Sequence, residues 1–86
     1  MNTWFVYILR CSDGSFYTGI TTDVGKRLKR HQGGIGAAYT RSHLPVTLIW
    51  KESAVSESAA RKREAEIKGW TRKEKERFLK RSRPDR

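Results

Sequence analysis

A single cysteine, Cys11, stands among 86 residues. That excludes an internal disulfide and leaves no thiolate cluster for zinc. Cys11 ends an apolar run, where it reads as a small buried filler rather than a nucleophile. The two histidines, His31 and His43, show no ligand spacing with each other. No apolar run approaches the length of a membrane span, so no membrane partner is expected. The first ten residues have neither a basic start nor a cleavage site, so no leader is expected there. Together with the lone cysteine, this makes a reducing, cytoplasmic setting the expectation. Internal repeats and separating linkers are missing too. One domain is expected over residues 1–86, with its core at about 3–80 and a frayed tail at 82–86.

Acidic residues are also scarce, 9 against 19 Lys and Arg, for a net charge of +10. The imbalance is concentrated: from Arg61 onward, twelve basic residues face five acidic ones. Such a skew points to a polyanion, above all nucleic acid. Lys68, Arg72, Lys73 and Lys75 are the candidate phosphate contacts there, joined upstream by Lys26, Arg30 and Arg41. A plainer account keeps the C-terminal charges as a solvated helical surface with i,i+4 pairs Glu64–Lys68 and Glu76–Lys80.

Aromatics, by contrast, are plentiful and placed early. Trp4-Phe5-Val6-Tyr7-Ile8-Leu9 and Phe16-Tyr17-Thr18-Gly19-Ile20 flank the turn Ser12-Asp13-Gly14. β-Branched and aromatic residues predict strands over Asn2 to Cys11 and Ser15 to Ile20. A two-residue Asp-Gly turn would put Tyr7 and Tyr17 on opposite faces. A three-residue loop, a type I turn with Gly14 in the left-handed region, instead sets Tyr7 opposite Gly19 and diagonal to Tyr17, on one face. Only this register lets the two phenols share a site, and it is the one predicted.

Thr21 or Thr22 with Asp23 offers an N-cap for a helix running to about Gln32, ended by Gly33-Gly34. Val24 and Leu28 form its apolar stripe, while Arg27 and His31 stand four apart on another face. Ala37 to Leu44 is expected as loop, and Val46 to Lys51 as a third strand after Pro45. Ser56 starts a long helix with Ala59, Ala60, Ile67 and Trp70 as core candidates. Thr71 starts another, with Glu74 completing a capping box and Phe78 and Leu79 available to pack. The order ββαβαα predicts an α/β (α+β) fold: a small three-stranded, mainly antiparallel sheet flanked by helices.

Phosphodiester hydrolysis needs an activated water, a counter to phosphoryl charge and help for the leaving oxygen. Arg binds phosphate in a fixed fork, and a tyrosine, with a free pKa of about 10, serves as a base only beside a cation, metal or second base. The residues fit a known pattern at this point. Val6-Tyr7-Ile8, then Tyr17-Thr18-Gly19, then Arg27 with His31, then Arg63-Glu64-Ala65-Glu66-Ile67-Lys68-Gly69-Trp70 stand in the order and spacing of a GIY-YIG nuclease domain, which residues 3 to 80 resemble. The first triplet departs from the namesake but keeps its tyrosine, and the only asparagine is Asn2, whereas many active members carry one downstream. No separate DNA-binding domain, as larger members append, is expected at this length.

The resemblance implies a single divalent ion, Mg2+ or Mn2+, bound by Glu64. It implies that Arg27 steadies the scissile phosphate and that Tyr7 is the base that activates water, supported by His31. Tyr17 then orients water or a phosphate oxygen. The substrate implied is DNA, structured rather than sequence-defined, with repair or recombination as the expected setting. Plain alternatives remain beside each role. The tyrosines could be ordinary strand aromatics, and Arg27 a solvated helix residue. His31 could be a cation favouring a helix C-terminus, and Glu64 a partner for Lys68, with Glu66 a lesser metal candidate. Gly19 reads as structural, and Thr40 and Arg41 as either phosphate contacts or loop stabilisers. At the level of the whole chain, the alternative to an endonuclease is a non-catalytic nucleic-acid-binding module using the basic C-terminal helices. The oligomeric state stays open, a monomer being one option.

Overall fold

The computed structural model describes residues 3–82. Asn2, the expected start of the first strand, lies outside the described residues, as does 83–86 of the expected tail. Strands β1 (Trp4–Arg10), β2 (Phe16–Thr21) and β3 (Thr47–Ala54) form one antiparallel sheet in the order β2-β1-β3. Helix α1 (Val24–Gln32) and the single turn α2 (Ala38–Arg41) lie between β2 and β3 in the chain. Helices α3 (Glu57–Lys68) and α4 (Arg72–Ser82) follow.

The hairpin has the three-residue loop that the shared-face register requires. Gly14 N–H donates to the Cys11 carbonyl at 2.9 Å and Cys11 N–H to Ser15 at 2.8 Å, with Gly14 at φ +86°. Asp13 holds the loop by accepting from the Ser15 amide at 3.0 Å and hydroxyl at 2.6 Å. Tyr7 therefore pairs with Gly19 and Leu9 with Tyr17.

Alternation along β1 divides the core in two. Val6 and Ile8 pack with Ala60, Ile67 and Leu79 of α3 and α4; Tyr7, Leu9 and Cys11 pack with Val46, Leu28, Leu44 and Leu48 on the α1 side. Val6, Ile8 and Leu9 are fully buried, each contributing about 1.5–3 kcal/mol of apolar burial. The helices begin where the capping chemistry puts them. Asp23 accepts from Lys26 N–H at 2.9 Å and Ser56 from Ala59 N–H at 3.1 Å. Thr71 and Glu74 exchange reciprocal bonds at 2.8 and 3.1 Å.

Three expectations need correction. The stretch expected as loop contains α2, because Ala37 and Ala38 accept from Arg41 and Ser42 N–H and close a turn. Strand β3 runs on to Ala54, since Lys51, Glu52 and Ser53 pair with Tyr7, Val6 and Phe5 on an edge where polar side chains point outward. Glu76 pairs with Arg72 at 2.9 Å rather than with Lys80.

Candidate active site

The site is assembled from the inner face of the hairpin. A Cβ at Gly19 would lie 2.5 Å from the Tyr7 hydroxyl oxygen and 2.7 Å from Cζ. The Tyr7 ring therefore lies across β2 over the one residue with no side chain to obstruct it. Tyr17, diagonal to it, has its ring centroid 6.5 Å away. Both phenols share a face, in keeping with the three-residue loop.

Helix α1 supplies the rest of the inner wall. Thr21 Oγ1 accepts from Asp23 N–H at 3.1 Å, which fixes the turn from β2 into the helix. His31, two turns on, is 1% exposed. Its Nε2 lies 3.0 Å from the Tyr7 hydroxyl and its Nδ1 2.8 Å from Thr40 Oγ1. Thr40 Oγ1 in turn donates to the Ala37 carbonyl at 3.0 Å. A Cβ at Gly36 would collide with the imidazole, so this glycine makes room for it. Burial, then the charges of Arg27 and Arg30, hold His31 below its ordinary imidazole value. That direction disfavours the alternative of a cation at a helix end. Burial, helped by Tyr17, pushes the Tyr7 phenol up to about 12, against the pull of the Arg27 guanidinium beside it. A neutral imidazole thus faces a protonated phenol.

Arg27 is half-buried and its Nη1 makes a long 3.5 Å bond to the Ile20 carbonyl, leaving most of the guanidinium fork for another acceptor. Glu64 sits on α3 near enough for its charge to add to the rise at Tyr7. It also pairs with Lys68 at 3.2 Å, with 20% of its side chain exposed. Glu66 instead pairs with Arg63 at 2.9 Å. Among the described residues, no group of three or more His, Cys, Asp or Glu could hold a metal ion. A lone, partly open carboxylate would fit a hard divalent cation, one that keeps several waters and takes further oxygens from a phosphate.

The basic candidates do not form one surface. Lys26 and Arg30 are exposed on α1, against the Tyr7 side of the sheet; Arg72 and Lys73 are exposed on α4, against the Val6 side, where Lys75 is half-buried. Lys68 and Arg41 are exposed. Arg10, Phe16, Arg72, Lys73, Arg77 and Lys80 surround an open groove of about 780 Å³ that none of Tyr7, Arg27, His31 or Glu64 lines. Arg72 lies over the Phe16 ring at 4.7 Å. Arg10, Arg77 and Lys80 are not among the phosphate contacts expected from the sequence, and only the fold brings Arg10 against α4.

Thr40 is fully buried, so its alternative as a phosphate contact fails. Its bond to His31 was missed, although one signal existed. A buried histidine needs partners for both nitrogens, and Tyr7 supplies one. Cys11 is 4% exposed, as a filler should be. At the edge of this cluster, the exposed Tyr39 stacks on Tyr17 with centroids 6.4 Å apart and on His43 at 4.3 Å, and donates to Ser15 Oγ at 2.5 Å.

Residues 3–77 match the family described as the GIY-YIG catalytic domain. A UPF0213 protein of Streptococcus sanguinis is 52% identical over 79 residues, covering 92% of this chain and 91% of its own. One from Staphylococcus aureus is 49% identical over 80 residues, 93% of this chain and 98% of that one. Two structures solved by solution NMR each cover 93% of this chain and 85% of their own. A UPF0213 protein of Bacillus halodurans superposes with a TM-score of 0.62 at 42% identity, and a protein of E. faecalis with 0.63 at 45%.

Proposed function

This chain belongs to the GIY-YIG family, and from that premise we propose that it is a divalent-metal-dependent endonuclease cutting structured DNA. The observation that carries the proposal is the buried Tyr7–His31 pair, 3.0 Å apart, with Arg27 beside the phenol. A phenol raised to about 12 is a poor base alone. Bonded to a neutral imidazole, it can accept a proton while passing on its own.

In the proposed step, Tyr7 Oη takes a proton from a water as its own proton moves to His31 Nε2. The water oxygen forms the new bond to phosphorus, and the bond from phosphorus to the leaving oxygen breaks. That oxygen departs with the bonding pair and is protonated by solvent, to which His31 later returns its proton. Arg27 neutralises charge growing on the phosphoryl oxygens, and Tyr17, on the same face, orients the water or a phosphate oxygen. Glu64 would hold Mg2+ or Mn2+, which when bound supplies Lewis acidity at the phosphate. The exposed cations on α1 and α4 would hold the nucleic-acid backbone, and repair or recombination is the setting in which structured DNA arises.

The test is cleavage of branched, nicked and single-stranded DNA with Mg2+ or Mn2+, comparing the protein with Tyr7→Phe, Arg27→Ala and Glu64→Ala. Each substitution should lower kcat by roughly 100-fold or more. Undiminished cutting by all three variants would sink the assignment. Metal-independent DNA binding without cutting, unchanged in Glu64→Ala, would favour the non-catalytic binding module instead.

A further inference from the structure

We propose that Thr40 is a positioning residue that fixes the tautomer of His31, and that α2 together with Gly36 brings its hydroxyl to the imidazole. The inference rests on the nuclease reading for its purpose but not for its geometry. Tyr7, His31 and Thr40 are 2%, 1% and 0% exposed; the hydrogens of His31 and Thr40 must find acceptors within the protein, and the phenol hydrogen has either His31 or the attacking water to bond.

Counting those hydrogens favours one arrangement. Thr40 has one hydroxyl hydrogen and lies 3.0 Å from the Ala37 carbonyl and 2.8 Å from His31 Nδ1. If it donates to Ala37, its oxygen accepts from Nδ1–H, His31 Nε2 carries the lone pair, and the Tyr7 hydroxyl donates to Nε2. Every hydrogen then has an acceptor. If Thr40 donated to Nδ1 instead, Nε2–H would point at Tyr7, and the phenol hydrogen would lose its acceptor among the described residues and turn to water. Every buried side-chain nitrogen and oxygen among the described residues has a hydrogen-bonding neighbour, and the first arrangement is the one that also gives each hydrogen an acceptor within the protein.

The consequence is directional. A histidine in water exchanges its proton between two nitrogens, and only one tautomer can take a proton from Tyr7. The Thr40 hydroxyl selects that tautomer. It also keeps accepting from Nδ1–H when His31 becomes an imidazolium, so the positive ring stays hydrogen-bonded at both nitrogens. Gly36 belongs to the same device, because a Cβ there would displace the ring from between its partners. The four-residue α2, with its own threonine bond to Ala37, presents this hydroxyl at Nδ1, the ring nitrogen that does not face Tyr7.

Nitrogen-15 NMR of the histidine side chains, with His31 assigned by loss of its signals in His31→Gln, reads the tautomer directly. The unmodified protein at neutral pH should show His31 protonated at Nδ1 alone. Thr40→Val should turn this into a mixture or into the Nε2–H form, while Thr40→Ser should restore it. On a DNA substrate, Thr40→Val should lower kcat by roughly 10–100-fold with KM little changed, and Thr40→Ser should recover most of the rate. An Nε2–H His31 in the unmodified protein would overturn the proposal, whether or not any variant folds. So would a single Nδ1–H tautomer that persists in Thr40→Val. Because the spectra need no turnover, an unmodified protein that cuts nothing would defeat the nuclease reading alone.

Discussion

The buried imidazole makes stability depend on pH in the mildly acid range. His31 is held below the ordinary value of about 6.5 by burial and by the guanidinium charges of Arg27 and Arg30. Below about pH 6.5 the unfolded chain takes up a proton at this residue that the folded protein refuses. The unfolded state then binds more protons, so stability falls as pH drops through that window and is regained as it rises. Urea unfolding between pH 5 and 7 should show this slope in the unmodified protein and a flatter one in His31→Gln; equal slopes would rule His31 out as the source. At this scale the sequence was legible where a residue's role is local. Gly14 needed a positive φ, Asp23 and Ser56 were caps, and Cys11 was a filler. Gly36 and Thr40 were not legible, since their roles depend on a ring that arrives from α1.

Among the elements, α1 has the most to lose, because its nine residues must present Arg27 in the first half and His31 in the last turn. So short a helix has little intrinsic stability. Its start is fixed by the 2.9 Å bond from Lys26 N–H to Asp23. Asp23→Ala should cost about 1 kcal/mol, seen in thermal unfolding as a fall of about 4–8 °C in Tm, while Asp23→Asn should stay close to the parent. The sequence marked α1, α3 and α4 through their caps and the hairpin through its turn chemistry. It understated β3, whose Lys51-Glu52-Ser53 end has no apolar alternation to announce it. It also hid α2, whose single turn is too short for a periodic signal and is held by a tertiary partner.

Across the whole molecule, positive charge occupies both sides of the sheet, so one rigid duplex need not touch all of it. The groove beside α4 is separate from the tyrosine cluster and holds Arg10, Lys73, Arg77 and Lys80, none of them ion-paired among the described residues. If it carries a nucleic-acid backbone, replacing these four by Ala should make the dependence of log K on log salt shallower. The change is about 0.9 for each duplex phosphate that is no longer neutralised, or about 0.7 on a single strand. A fluorescence-anisotropy salt titration measures this, and an unchanged slope would remove the groove from the binding surface. Net charge announced a polyanion partner from the sequence. It could not say that the cations divide between two faces, because that division is made by the packing of α1 and α4.

The strand order β2-β1-β3 has one further consequence. A strand with a neighbour on each side offers no row of free amides and carbonyls to another chain, whereas β2 and β3 each keep one open side. Misassembly by strand addition and fraying both begin at such margins. Tyr7 is carried on the strand that neither can reach first, so the molecule keeps its phenol where wear at the rim of the sheet arrives last.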